Sequence, residues 1–116
     1  MSDGTHDQLQ VAFPATPTFT RIGRVAVVGL ALRLGIDVST VEQLRRAVDG
    51  AVSALQGPGR ISAHASWTPS QLAVTLSNPE AAIADCGALS KELSDLIGQV
   101  AVEPTKVTLT LQTATS

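Results

Sequence analysis

The side chains with reactive chemistry are few and scattered along the 116-residue chain, whose only cysteine is Cys86 and whose histidines are His6 and His64. A structural metal site takes about four closely spaced cysteine, histidine or carboxylate ligands, and the sequence has no such cluster. Cys86 has no neighbouring histidine motif to activate it, so we interpret it as a small, partly buried residue. The sequence therefore predicts neither a metal centre nor a thiol enzyme.

Positive charge is concentrated in the first half of the chain. Five arginines lie between Arg21 and Arg46, whereas the last third carries five of the ten acidic residues. The formal net charge of −2 is too close to neutral for a general nucleic-acid or membrane binder. Arg21 and Arg24 are one helical turn apart, so their guanidinium groups could form a small site for carboxylates. The alternative is that both are solvated surface charges.

Apolar periodicity and turn residues predict three helices and five strands. The predicted strands span residues 8–13, 61–67, 71–77, 100–102 and 107–111, and the helices span 17–34, 39–55 and 81–97. This order predicts an α+β fold, a two-layer sandwich with a mixed sheet of about five strands and three helices on one face. Residues 1–7 are predicted to be a disordered tail, and residues 8–116 a single domain.

The first two predicted helices have marked ends. Thr16 before Pro17 predicts a helix start, and Gly35 predicts the end of that helix. Ser39 and Glu42 have the spacing of a capping box for the second helix. The residues of the first helix that we expect to be buried are Phe19, Ile22, Val25, Ala26 and Leu30, with Val28 and Leu32 on a broader face.

The composition is that of a folded domain with an aliphatic core. Hydrophobic residues make up 44% of the chain, but aromatic residues only 3%. One cysteine excludes an internal disulfide. The apolar run 25–32 is flanked by Arg24 and Arg33, which predicts a buried helix rather than a membrane span. A cytoplasmic location is the simplest expectation, since no signal peptide or long apolar span is visible.

Two segments, PATPTFTRIGRVAVVGLALRLG at residues 14–35 and VEQLRRAVDGAVSAL at residues 41–55, carry a family resemblance. Together with the closing VAV…KVTLTL segment, they resemble the anti-sigma-factor serine kinases, which belong to the histidine-kinase-like (GHKL) ATPases. That family has a Glu and, four residues later, an Asn in its second helix, in a pattern like AVSEAxTNA. The matching positions here are Gly50 and Ala54, so the resemblance implies that the general base and the magnesium ligand are missing.

The same resemblance places two further ATP-site positions. Family members read adenine with an Asp-x-Gly turn after a strand, whereas the strand LAVTLS here leads into Asn78, Pro79 and Glu80. The glycine-rich phosphate segment is reduced to Gly87-Ala88-Leu89, and the lid before it is absent. The changes at Gly50, Ala54, Asn78 and Glu80 together imply that neither ATP nor magnesium is held, so no cofactor is expected. Taken without the family, Asn78-Pro79 is an ordinary turn and Gly50 a packing glycine.

The leading functional hypothesis is a degenerate anti-sigma-factor-like regulator without kinase activity. The resemblance implies that it binds a protein partner, either a sigma factor or an anti-sigma antagonist. Arg24 matches a partner-contacting arginine in a pattern like FxxIxR, with Arg21 one turn earlier. Two alternatives stay open: an ATP-dependent serine/threonine kinase with a rearranged site, and a homodimeric regulatory or structural subunit that pairs through the outer face of the first helix.

Overall fold

The computed structural model of the protein describes residues 8–112, so the predicted tail at residues 1–7 lies outside the described part. The strands are β1 (Gln8–Pro14), β2 (Arg60–Thr68), β3 (Gln71–Ser77), β4 (Gln99–Glu103) and β5 (Lys106–Gln112). The helices are α1 (Thr20–Arg33), α2 (Val38–Ala54) and α3 (Cys86–Ser94), and a 3-10 turn at Pro17–Phe19 precedes α1. The predicted α+β class and the predicted order of elements are confirmed.

The five strands form one sheet in the order β1-β2-β3-β5-β4. Each neighbouring pair is antiparallel, whereas we predicted a mixed sheet. Helices α1 and α2 connect β1 to β2, and two-residue turns join β2 to β3 and β4 to β5. The one helical crossover, from β3 through α3, could give a parallel pair. It does not, because β5 lies between β3 and β4.

The core lies between one face of the sheet and the helices. Alternate residues of the central strands are buried, as the period of two requires. They form one hydrophobic cluster with the buried residues of α2, which are Val41, Leu44, Ala47, Val48, Ala51 and Val52. The residues that alternate with them in β2 and β3, such as Ser62 and Thr75, are partly exposed. The sheet therefore has one apolar and one mainly polar face.

Of the residues predicted to be buried in the first helix, α1, only Leu30 is buried, and Phe19 at its start is 38% exposed. Its buried residues are Gly23, Val27, Leu30 and Ala31, whereas Ile22 and Val25 are 40% and 59% exposed. A methyl group at Gly23 would lie 2.9 Å from Phe13 Cζ, so this glycine allows α1 to pack closely on β1. Gly35 ends the helix with a φ of +82°, as predicted.

Helix α2 begins one residue earlier than expected, with Asp37 as its N-cap. The Asp37 carboxylate accepts hydrogen bonds from Ser39 Oγ, Thr40 Oγ1 and Thr40 N at 2.5, 2.7 and 3.2 Å. These hydrogen bonds lower the pKa of Asp37 to about 2, and the bond from Ser39 contributes most. The predicted capping box is wrong, because Ser39 bonds to Asp37 and Glu42 bonds to Arg45.

Helix α3 is much shorter than the predicted helix over residues 81–97. Asp85 is its N-cap and accepts a hydrogen bond from Ala88 N at 2.9 Å. Before this cap, the Ile83 N–H donates to the carbonyl of Pro104 at 2.8 Å, a tertiary bond that replaces a helical one. None of the helices in the described residues is both long and apolar enough to span a membrane.

Candidate functional site

Gly50, the position matched to the family's general base, faces α3. A methyl group at position 50 would lie 3.1 Å from Leu93 Cδ2 and 4.0 Å from Glu92 Oε2. Leu93 is fully buried, so its side chain fills the space beside Gly50. The packing-glycine interpretation of Gly50 fits this geometry. Ala54, matched to the magnesium-binding Asn, is a half-buried methyl group in the last turn of α2 and offers no ligand atom.

Asn78, matched to the adenine-reading Asp, is the one fully buried polar residue of the described part. Its Nδ2 donates to the carbonyls of Leu55 at 2.9 Å and Pro58 at 3.0 Å. Its Oδ1 accepts from the backbone N–H of Glu80 at 3.0 Å, and its own N–H donates to the carbonyl of Thr105. The side chain thus joins the end of α2, the following loop and the end of β3, and its two amide protons already have acceptors.

Glu80 and Gly87, the remaining matched positions, are separated by the start of α3. Glu80 is exposed, and its Oε2 would lie 2.7 Å from a methyl group at Gly59, whose φ is +86°. Gly87 is the second residue of α3, two positions after the Asp85 cap. Because the Asp85 carboxylate already occupies the N-terminal end of this helix, a bound phosphate there would meet a negative charge.

Arg24 forms an ion pair with a residue of α2, so it is not simply a solvated surface charge. Its Nη1 lies 3.2 Å from Asp49 Oδ2, and both side chains are 32% exposed. Asp49 Oδ2 also lies 3.5 Å from Arg45 Nη1, and Arg45 in turn pairs with Glu42, whose pKa this hydrogen bond lowers. Asp49 Oδ1 is buried and has no hydrogen-bond donor. Sequence reasoning missed Asp49, although its spacing of four from Arg45 is a helical ion-pair signal.

Arg21 is exposed and has no ion-pair partner among residues 8–112. It lines a shallow cavity of about 410 Å³ together with Arg24, at the N-terminal end of α1. The structure therefore places the two predicted partner-binding arginines on one cavity. Of these two arginines, only Arg21 has a guanidinium group that is not paired with a carboxylate of residues 8–112.

The outer side of α1 carries an apolar row that sequence reasoning had assigned largely to the core. We call Ile22, Val25, Gly29 and Leu32 the α1 stripe. Ile22, Val25 and Leu32 are 40%, 59% and 52% exposed. Periodicity could not find this row, because α1 is apolar on nearly all sides and offers two equally good faces to the core.

A groove of about 540 Å³ borders the α1 stripe. Leu9 of β1 and Trp67 of β2 form one wall, and residues of α1 form the other. The lining residues from α1 and its end are Val25, Ala26, Gly29, Leu30, Arg33 and Leu34. The groove is therefore apolar apart from Arg33 and Gln8, and it opens to solvent beside the edge strand of the sheet.

The described residues contain no group of three or more His, Cys, Asp or Glu side chains that could hold a metal ion. His64 lies on β2 and is 3.1 Å from Gln8 Oε1, and Cys86 is partly buried at the start of α3. These two side chains belong to separate parts of the fold, whereas His6 lies outside the described residues.

No protein-family model matches the sequence, and a search of curated proteins finds no match either. The resemblance to the anti-sigma-factor kinases therefore stays a prediction.

Proposed function

We propose that the protein is a non-catalytic regulatory module that binds a protein partner through the outer surface of α1. The observation that carries this proposal is the concentration of exposed apolar side chains on one short segment. The large hydrophobic residues exposed in the described part are Leu9, Phe19, Ile22, Val25, Leu32 and Val38. Four of these six lie between residues 19 and 32. Exposed large apolar side chains that are concentrated in this way are typical of a protein-interaction site.

The partner class follows from the family resemblance. A degenerate relative of the anti-sigma-factor kinases would bind a sigma factor or an anti-sigma antagonist in the cytoplasm. Arg21 supports this assignment, because its exposed guanidinium is next to Ile22 on the surface and can pair with a partner's carboxylate. Arg24 lines the same cavity, but it already pairs with Asp49, so we expect it to contribute less than Arg21.

Two contacts support a non-catalytic module over the kinase alternative. Leu93 fills the space beside Gly50, where the family has its general base. Asn78 uses its amide group to join loops of its own chain, so it has no proton left for a purine ring. Calorimetric titration with Mg-ATP should accordingly show no saturation at millimolar concentrations. A micromolar dissociation constant, about −8 kcal/mol, would restore the kinase alternative.

Co-purification from the native cell tests the binding surface. Val25→Glu places a carboxylate in the α1 stripe, and Ala82→Glu places one on an exposed loop residue before α3 as the matched control. We expect a sigma factor or an antagonist to be recovered with the wild-type protein and the control, and lost with Val25→Glu. The same loss should recur with the purified partner. An unchanged set of recovered proteins for Val25→Glu would contradict the proposal.

A further inference from the structure

The α1 stripe has the spacing of a helix that packs along another helix. Ile22, Val25, Gly29 and Leu32 are separated by three, four and three residues. This is the a/d spacing with which one helix presents a continuous seam to a second helix. In the described fold the seam has no helix on it, because α1 packs on α2 and β1 with its other side.

Gly29 has no packing reason within the described chain. A glycine inside a helix costs roughly 1 kcal/mol relative to alanine. Of the other glycines in helices, Gly23 packs closely on Phe13 and Gly50 on Leu93, whereas Gly87 lies in the first turn of α3 rather than in a helix interior. A methyl group at Gly29 would meet nothing within 4 Å. Its lack of a side chain instead leaves the middle of the seam open to the close approach of another backbone.

The groove beside the seam adds a place for an anchoring side chain. Trp67 and Leu9 stand opposite Val25 and Gly29 across it. Apolar grooves next to a helix bind the apolar face of an amphipathic helix, whose anchors recur every three or four residues. The chain's only tryptophan therefore lies at the position where such an anchor would be buried.

The positive charge of α1 indicates which kind of partner segment would fit. The helix carries Arg21, Arg24 and Arg33 and no acidic residue. Arg21 and Arg33, at its two ends, have no ion-pair partner among residues 8–112. A second copy of α1 would bring arginines against arginines, which disfavours a homodimer through this face. Acidic residues on either side of the partner's apolar row would complement both ends.

We propose that the α1 stripe and its groove bind an acidic amphipathic helix of the partner protein. This inference rests on the proposed function and adds the chemistry of the bound segment. The helix would place its apolar row on Ile22, Val25 and Leu32, its closest backbone approach at Gly29, and carboxylates near Arg21 and Arg33.

Two synthetic peptides test this chemistry. Both are side-chain-stapled, monomeric helices of about three heptads with leucine at the a and d positions. One has glutamate at the flanking positions and the other lysine. Trp67 fluorescence reports binding, and backbone amide shifts of the labelled protein locate it. We expect the glutamate peptide to bind saturably on α1, about tenfold or more tighter than the lysine peptide at low salt, with the difference shrinking at high salt.

Two protein variants make the test specific. Gly29→Leu fills the seam and should weaken the glutamate peptide about tenfold or more, with an unchanged far-UV spectrum. Gly87→Leu, at an exposed helical glycine of α3 with room for a side chain, should bind like the wild type.

Equal binding of the two peptides to α1 would overturn the acidic-helix inference while the proposed function stood. Absence of peptide binding, undiminished binding to Gly29→Leu, or a wild-type dimer in light scattering that Val25→Glu abolishes would also overturn it. The proposed function itself is tested separately, by co-purification for the binding surface and by the Mg-ATP titration for the absence of catalysis.

Discussion

Leu93 of α3 packs directly onto Gly50 of α2, with 3.1 Å between Leu93 Cδ2 and the position of a methyl group on Gly50. Leu93 is fully buried, so this contact is part of the core rather than a surface coincidence. The helix glycine is therefore explained by the way α3 packs on α2. Any side chain larger than hydrogen at position 50 competes with Leu93 for the same space.

Gly50→Ala tests that contact. Alanine gains roughly 1 kcal/mol of helix propensity, but overpacking a buried site typically costs about 1–3 kcal/mol. We expect the free energy of unfolding to fall by about 1 kcal/mol in chemical denaturation. In a Leu93→Ala background the space is free, so Gly50→Ala should there be stabilising. Stabilisation by Gly50→Ala in the wild-type background would show that α3 moves aside easily.

Asn78→Asp introduces the residue type that the anti-sigma-factor kinases use to read adenine, and it should damage the fold rather than create a nucleotide site. A carboxylate cannot donate to the carbonyls of Leu55 and Pro58, and its charge would be fully buried against them. We expect a loss of about 3 kcal/mol or more in the free energy of unfolding at neutral pH. The loss should shrink in acid, where a neutral carboxyl can donate one bond. Thr105→Ser, a conservative change beside this network, serves as the control and should cost far less.

Arg24→Ala should affect stability through Asp49. The ion pair is about one-third exposed, so we expect its loss to lower the free energy of unfolding by about 0.5–1 kcal/mol. In an Asp49→Ala background the same substitution should have almost no further effect. Arg33→Ala, which breaks no ion pair in the described residues, should stay within about 0.5 kcal/mol of the wild type. Denaturation curves of the four proteins of the cycle decide this, and an additive pair of losses would exclude coupling between Arg24 and Asp49.

Asp37 should make the stability of α2 sensitive to acid. Its pKa in the folded protein is about 2, below the ordinary value of 3.8, so the folded state holds the charged form more strongly. Its contribution is therefore complete above about pH 4 and lost as the pH falls toward 2. Asp37→Ala should lower the melting temperature clearly at pH 6 and much less near pH 2. A difference that does not depend on pH would mean that the cap does not require the carboxylate charge.

The sequence predicted the strands well, because their signals are local. Alternating residues and the turns at Pro69-Ser70 and Pro104-Thr105 locate both hairpins to within a residue or two. The start of α3 was missed because Ile83 bonds to Pro104, a partner distant in sequence. For helix α1 only Leu30 was correctly predicted to be buried, because apolar residues occur on nearly every side of this helix.

The candidate site was predicted only in part. Arg21 and Arg24 do line one cavity, but the pairing of Arg24 with Asp49 depends on how α1 packs on α2. The bonds of Asn78 reach residues about twenty positions earlier, and no local pattern marks such a partner. Sequence periodicity shows which residues are apolar, whereas tertiary packing decides which of them are left on the surface.

The pairing of β1 with β2 has a consequence for the order in which the protein folds. Gln8 pairs with Ser66 and Pro14 with Arg60. Because α1 and α2 lie between these two strands in the sequence, forming this pair closes a long loop. Two-residue turns close the β2–β3 and β4–β5 hairpins at a far lower entropic cost. We therefore expect the hairpins to form early and β1 to join the sheet late. The backbone amides of β1 should then exchange with solvent through a smaller opening than those of β3, and the groove beside α1 should exist only in the last stage of folding.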